Sequence, residues 1–369
     1  MKFKKEYILI FILLLFFVSC NKTNDNSIKK YRIDFDNSTT IDDFIKSINL
    51  IELETNESSL IRDISKVEFY KNYIYVFDLS QNIIVIFNQD GKYINKIDNK
   101  GQGPKEYLNI NDFGINRFLD QLYTLDAIKQ ILFYYDLRGN LIEIKKLPTL
   151  KEGSYLSLHF INIDTILFWT ADDKNRIKII NCLNNSFISE NFPRKEYARM
   201  AFLFSDYLFM EEMSNLVYRY HEGKINEHYR IDIASLSPEL KSKDTFKPHD
   251  NQSYIGFVNK LINSENIDYI IKNIDETSKF IVLSFYRKRI YYTFLIKKET
   301  GLFYSFNTID KNFIPYIKYM NNDFIVGVYE PDFDYMYKSI IKPIDMDILN
   351  NKSDESNPVL IKYYMNNDK

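Results

Sequence analysis

Cysteine is nearly absent from this 369-residue chain, with Cys20 and Cys182 its two representatives. Cys20 falls within the N-terminal leader, so Cys182 has no internal partner and stability must come from packing rather than from disulfides. Histidine is also scarce. His159, His221, His228 and His249 are scattered and lack the close pairing that a zinc or iron site requires. His221 and His228 flank the Glu222-Gly223 turn and could meet across a hairpin, where a solvent-facing pair is the simpler reading. The Gly-x-Ser-x-Gly elbow of serine hydrolases is missing, and so is a phosphate-cradling glycine loop. Glu330-Pro-Asp-Phe-Asp334 lacks the glycine and the ligand alternation of a calcium loop. The acidic pairs Asp172-Asp173 and Glu211-Glu212 fall in predicted turns and read as solvated. No cofactor and no metal is expected from this inventory. Charge of one sign is lacking too: the net charge is −2, and Arg287-Lys288-Arg289 reads as a hairpin turn rather than a basic patch, which argues against nucleic acid as a partner. The one long apolar run, Tyr7 to Val18, has twelve residues, short of the about 20 that span a bilayer comfortably.

Aromatic residues are abundant, with 29 Tyr and 29 Phe, enough to fill a large core. The stretch from Tyr73 to Tyr107 shows how they are used. Tyr73–Phe77 and Ile83–Phe87 are rich in β-branched and aromatic residues, and their apolar character is nearly continuous, as in strands covered on both faces. Asp90-Gly91 is a hairpin turn signal, and Lys92–Ile97 supplies a returning strand. Gly101, Gly103 and Pro104 then mark a connection to the next unit.

The same pattern recurs over Leu122–Pro148. Asp78 matches Asp126, Phe87 matches Tyr135 and Gly91 matches Gly139, each 48 positions on. Looser copies follow. Asp164–Trp169 leads to Arg176–Ile180 and a turn at Asn184-Asn185; Asp206–Phe209 leads to Leu216–Tyr220 and Glu222-Gly223. Lys279–Phe285 leads to Tyr291–Lys297 and Thr300-Gly301, and Asp323–Tyr329 opens a sixth copy. Six units across 60–345 give about 47 residues each, the period of propeller blades.

Gly101-Gln-Gly-Pro-Lys-Glu-Tyr107 after an Asp-Gly hairpin resembles NHL-type repeats, and more closely the six-bladed β-propeller lipoproteins of Bacteroidetes. Leu50–Thr55 followed by Ser59–Ile64 is similar to the start of that family's propeller domain, while Lys105 stands where the family often has a second small residue. The resemblance is good over 45–150 and looser beyond. It implies fold and compartment more than activity.

The leader fits that compartment. Lys2, Lys4 and Lys5 precede the apolar run, which ends in Phe17-Val-Ser-Cys20. This resembles the lipobox of bacterial lipoproteins, with Phe17 where Leu is usual, and implies cleavage before Cys20 and its lipidation. The polar run Asn21–Ser27 then reads as a tether. Asp25 is its one acidic residue, whereas surface-exported lipoproteins of this phylum often carry an acidic run there, so a periplasm-facing position at the outer membrane is favoured over surface exposure.

The expected architecture is an all-β, six-bladed β-propeller of four-stranded antiparallel blades with a short helical insertion. A signal peptide covers 1–19, a lipidated tether 20–29, and one propeller domain 30–369. Thr39–Asp43 is expected to cap a short helix over Phe44–Ile48. Tyr31–Phe35 is preferred over Val359–Met365 as the strand that completes the last blade. Within 235–275, Tyr254, Phe257, Val258, Leu261 and Ile262 recur at helical spacing, so an insertion is expected there, either a recognition segment or a cap over apolar surface. Candidate ligand-binding positions at the channel mouth are Arg62, Asp63, Asn111 and Asp112, in the segments leading into inner strands; turn capping is their simpler role. The function expected is a non-catalytic, lipid-anchored scaffold for an envelope protein or glycan, touching the membrane through its lipid alone. The rival readings are a structural subunit of an envelope complex and a propeller enzyme, a lactonase-like hydrolase or polysaccharide lyase, for which Asp63, Asp112, His159 and Asp206 would have to cluster at the axis.

Overall fold

The computed structural model describes residues 28–34, 38–150, 153–171, 174–193, 201–204, 207–211, 214–234, 236–237, 263, 268–288, 290–307, 317–329, 349, 353 and 355–366. Two strands come first, β1 (Lys29–Ile33) and β2 (Ile45–Glu52). The six sheets follow. Blade one contains β3 (Ile64–Tyr70), β4 (Tyr73–Asp78), β5 (Ile83–Asn88) and β6 (Tyr93–Ile97). Blade two contains β7 (Asp112–Asn116), β8 (Gln121–Asp126), β9 (Ile131–Tyr135) and β10 (Leu141–Lys146). Blade three runs through β11 (Ser154–Asn162), β12 (Thr165–Ala171), β13 (Asn175–Asn181) and β14 (Ser186–Pro193). In blade four are β15 (Ala201–Phe204), β16 (Leu208–Glu211), β17 (Leu216–His221) and β18 (Lys224–Ile233). Blade five holds β19 (Ile270–Glu276), β20 (Phe280–Arg287), β21 (Ile290–Lys297) and β22 (Phe303–Asn307). Blade six has β23 (Tyr319–Met320), β24 (Phe324–Val328) and β25 (Val359–Met365), with β2 as its fourth strand. The first strand of each blade lines the axis: β3 touches β7 and β23, β7 touches β11, and β15 touches β19. The chain is a six-bladed β-propeller.

Continuous apolar strands have a direct explanation in this arrangement. Along β4, Ile74 and Val76 pack toward blade six, while Tyr75 and Phe77 pack toward blade two. Alternate side chains enter different cores, so both faces of a middle strand must be apolar. Six buried clusters result, one in each gap between neighbouring blades. The 48-residue repeat also has a hydrogen-bonding basis. Asn88 and Asp136, 48 apart, each bend a hairpin. The Asn88 Oδ1 accepts from the Asp90 and Lys92 amides at 3.0 and 2.9 Å. The Asp136 Oδ1 accepts from the Arg138 and Asn140 amides, both at 2.9 Å.

The N-terminal segment departs from expectation. Phe44–Ile48 is not helical: a single 3-10 turn, Ile41–Asp43, is capped by the expected Thr40–Asp43 pair and leads directly into β2. Five residues make a marginal helix, whereas as a strand this segment zips onto β25 from Ile45↔Met365 to Glu52↔Val359 and buries Ile45 and Ile51. Ring closure therefore does use an N-terminal strand, but it is β2. The strand containing Tyr31 lies elsewhere. It adds to the edge of blade four, parallel to β18, where Tyr31 and Ile33 enter the core shared with blade five. The expected helix within Ser253–Ile262 lies outside the described residues, as does the leader with Cys20.

Candidate functional site

The connections into the inner strands β3 and β7 are each held by one buried carboxylate. Asp78, fully buried at the end of β4, accepts from the Arg62 amide at 2.6 Å and from the Gln81 amide at 2.9 Å. Its counterpart Asp126 ends β8 and accepts from the Leu108 and Lys129 amides at 2.7 and 2.9 Å. Burial opposes the charge on Asp78, but the donors from Gln81, Arg62 and Ser80 win and lower its pKa. The Gly101–Tyr107 motif serves the same connection. The Glu106 carboxylate accepts from the Gly103 amide at 2.7 Å and occupies the space a Cβ on Gly101 would fill, 2.0 Å away. Buried Tyr107 donates its hydroxyl to the Asn82 carbonyl at 2.9 Å.

Among the positions expected at the channel mouth, Arg62 and Asp63 have exposed side chains just before β3. Asn111, also exposed, caps a turn: its Oδ1 accepts from the Ala127 amide at 2.9 Å. Asp112 differs. It is 9% exposed and accepts from Lys66 Nζ at 3.0 Å, the Leu158 amide at 3.0 Å and its neighbour's amide at 2.9 Å. Lys66 also donates to the Phe113 carbonyl at 2.5 Å. Burial alone would lower the Lys66 pKa, but Asp112, Glu68 and Asp275 reverse this and raise it.

Lys66 borders a cavity of about 210 Å³ at the axis. Blade one contributes Glu68, blade two Arg117, blade three His159, blade five Asp275 and blade six Lys318 and Tyr319. Tyr123 enters the wall because Gly114 has no side chain; a Cβ there would sit 2.6 Å from the Tyr123 hydroxyl. Arg117 lies just past β7 and Asp275 is the penultimate residue of β19, so the cavity opens at the end of the channel opposite Arg62, Asp63 and Asn111. His159 sits deep in the wall, and burial lowers its pKa to about 4 against the pull of Asp112, keeping the imidazole neutral at pH 7. Three cations, two carboxylates, a neutral imidazole and two phenols thus converge from five blades, with Asp112 bonded to Lys66 behind them. Such a set can orient a polar ligand by donating and accepting hydrogen bonds. The sequence revealed Asp112 because it opens a recognisable inner strand. Lys66, Glu68 and Asp275 were missed because nothing local distinguishes a channel-facing charge from a solvated one.

A second cluster lies where blades four and five meet. Glu276, 2% exposed, receives His228 Nε2 on both oxygens at 3.2 Å, is bonded by Lys298 Nζ, and has Arg219 Nη1 at 3.7 Å. Burial would raise its pKa; the His228 and Lys298 contacts override that and bring it down to about 2. His221 and His228 do not pair across their hairpin: His221 lies opposite Lys224. Among the described residues no group of three His, Cys, Asp or Glu is placed to hold a metal. Cys182 is a buried thiol, pushed by burial up to about 11, and packs between blades two and three. Asp172, Asp173, Asp206, Glu212, His249 and Glu330–Asp334 lie outside the described residues.

This is a β-propeller with a charged axial cavity and no recognisable nucleophile–base pair among its described residues. The chain belongs to the family described as "Domain of unknown function (DUF4934)", which matches residues 28–364. Two solved structures are similar in fold. A Bacteroides fragilis protein described as exported superposes with a TM-score of 0.74 at 14% identity, covering 92% of this chain and all of that one. A Bacteroides vulgatus member of the duf4221 family gives a TM-score of 0.54 at 11% identity, covering 87% of this chain and 97% of its own. No curated protein matches the chain. No helix among the described residues is long and apolar enough to cross a membrane.

Proposed function

We propose that this protein is a lipid-anchored propeller of the cell envelope, attached through Cys20 to the outer membrane with a periplasm-facing position favoured, and that it is a non-catalytic scaffold binding a protein or glycan. The observation that carries the reading is the axial channel. Polar side chains from five blades converge there, charged ones from four of them, and Lys66 and Asp112 are locked together with backbone partners, as suits a preorganised recognition surface. Arg62, Asp63 and Asn111 form the opposite mouth, with Asp112 between the two ends. The leader and the likeness to an exported Bacteroides protein support the address.

The enzyme reading has one observation in its favour: His159 lines the axial cavity, Asp112 lies next to it holding Lys66 of the same wall, and His159 is neutral, as a base must be. Asp63 stands outside this pairing, exposed ahead of β3.

In-cell crosslinking of the tagged, full-length protein, followed by mass spectrometry, tests the scaffold. One dominant partner is expected, reduced in a Lys66→Met, Arg62→Glu double variant that still folds. Recovery unchanged by those substitutions would overturn the channel as the binding surface. Radiolabelled palmitate incorporation lost in Cys20→Ala is expected for the anchor; incorporation that persists, or is absent from the wild type, would overturn it.

A further inference from the structure

A second, larger cavity of about 600 Å³ lies under blades three and four, on the face where the axial cavity opens. Its walls come from Ile161 at the end of β11, Tyr207, and the β17–β18 hairpin. That volume is within the range of about 300–1,000 Å³ typical of small-molecule sites. We infer that this cavity is a saccharide-binding site whose floor selects a sugar bearing a carboxylate. The inference deepens the scaffold reading by naming the glycan class.

Three features of the cavity point to that ligand. The first is apolar wall: Tyr207, Tyr220 and Ile161 offer surfaces against which the C–H face of a sugar ring can lie. Tyr207 is fixed by donating its hydroxyl to the Phe160 carbonyl. The second is a row of planar polar groups. Arg219 and Asn226 are directly opposite each other across the hairpin, and both line the cavity with His228 and Glu227. Such side chains match the paired hydroxyls of a pyranose. The third is the charge of the floor. Arg219 is the permanent cation of the lining, and behind it the buried carboxylate Glu276 is held by Lys298 and by His228. Glu276 satisfies its two oxygens with His228 and Lys298, so the guanidinium, 3.7 Å away, retains donors for a ligand carboxylate. Two other carboxylates face the site. Glu222 and Glu227 are both exposed at the rim, Glu222 lying 3.7 Å from His221, where they can accept from sugar hydroxyls.

The cavity also adjoins the axial one. The His159 ring, in the axial wall, lies 5.7 Å from the Tyr207 ring in this wall, and Asp275 of the axial cavity is next in sequence to Glu276. A saccharide seated over Arg219 therefore extends toward the axis.

The test is calorimetric titration of the full-length protein, purified in detergent, with digalacturonic acid and with its neutral counterpart galactobiose. Digalacturonic acid is expected to bind and galactobiose at least ten times more weakly. Arg219→Gln is expected to weaken the acidic sugar at least tenfold and leave the neutral one unchanged. Because Arg219 also touches Glu276, melting curves accompany it, and Asn226→Asp provides a second variant at an exposed position. It is expected to weaken the acidic sugar selectively by placing a carboxylate opposite Arg219. Equal binding of the two sugars, no binding of either, or affinities unmoved in both variants would overturn this site. Sugar binding lost in Lys66→Met but intact in Arg219→Gln would overturn it while leaving the axial scaffold standing.

Discussion

At the scale of single residues, two glycines in the same backbone conformation test different physics. Gly91 and Gly223 both have a φ of +80°. A Cβ on Gly91 would meet the Glu52 carbonyl oxygen at 2.1 Å, because the blade-one hairpin leans on β2, and the Glu54 amide donates to the Gly91 carbonyl at 2.8 Å. A Cβ on Gly223 would meet nothing within 4 Å. Gly223→Ala should cost about 1–2 kcal/mol, the left-handed penalty alone. Gly91→Ala carries the same penalty plus a backbone clash that cannot be relieved without moving β2, so its loss of unfolding free energy in urea should be clearly larger. Equal losses would mean that the hairpin does not press on β2. Two strongly shifted residues contribute to the response to acid, alongside Asp78. His159 is held near 4 against an ordinary 6.5, so the fold resists protonation that the unfolded chain accepts; stability is lost from pH 6.5 downward and levels off below about 4. Glu276 is held near 2 against 4.5, so its contribution is present above pH 4.5 and disappears as pH falls toward 2. Urea midpoints measured from pH 7 to pH 3 should fall across both windows, and His159→Gln should flatten the first window only.

At the scale of the element, the blade is held by repeated polar devices as well as by its core. Asp78 and Asp126 occupy equivalent positions, both fully buried, each tying the connection into its blade's inner strand to the next turn. Hydrogen bonds to a charged acceptor are worth about 1.5–3 kcal/mol, and removal of either carboxylate also leaves buried amides unsatisfied. Asp78→Ala and Asp126→Ala should therefore each lower stability by at least that amount and by similar amounts, read as urea midpoint shifts. A near-neutral effect at one site would show that the repeat is one of sequence and not of function. The same residues explain what was legible beforehand. Where the repeat has its markers, in blades one and two, the strands, hairpins and turn glycines were readable, because Asp-Gly turns and buried aspartates are local signals. The middle strands of blades three to six were also readable, since β12, β16, β20 and β24 are apolar on both faces. Illegible were the features set by distant partners. The helix expected over Phe44–Ile48 became strand because β25, about 310 positions away in sequence, offers it an edge. The polar side chains of the axial cavity are brought together from five blades, and no window of sequence contains two neighbouring blades' contributions in their spatial relation.

At the scale of the whole molecule, the question is how an open chain of blades becomes a ring without exposed sheet edges. Blade six is assembled from both ends of the described chain, β2 pairing with β25 over seven matched positions. Strand pairing alone would leave the seam between blade six and blade one to apolar contacts, Ile51, Leu53 and Val328 against Ile61, Ile64 and Val76. A polar latch crosses it as well. Asn357, 1% exposed just before β25, accepts from the Ile61 amide at 2.7 Å and donates to the Glu54 and Ser59 carbonyls at 2.7 and 2.8 Å. Its own amide donates to the Thr55 hydroxyl at 2.8 Å. One side chain thus holds the segment leading into blade one to the strand that ends blade six. Its amide group meets two acceptors and one donor, so its chemistry is matched at every position. Asn357→Ala leaves the Ile61 amide and the Ser59 carbonyl unsatisfied at about 1–3 kcal/mol each, while the Glu54 carbonyl keeps the Ser59 hydroxyl. Asn357→Asp keeps the acceptor but turns a carboxylate oxygen toward two carbonyls, so the isosteric change should not rescue it. Both variants should lower the melting temperature, and hydrogen exchange should rise first in β2 and β25 rather than evenly around the ring. If Asn357→Asp matches the wild type, or exchange rises uniformly, the seam is held by its apolar contacts and Asn357 is not a latch.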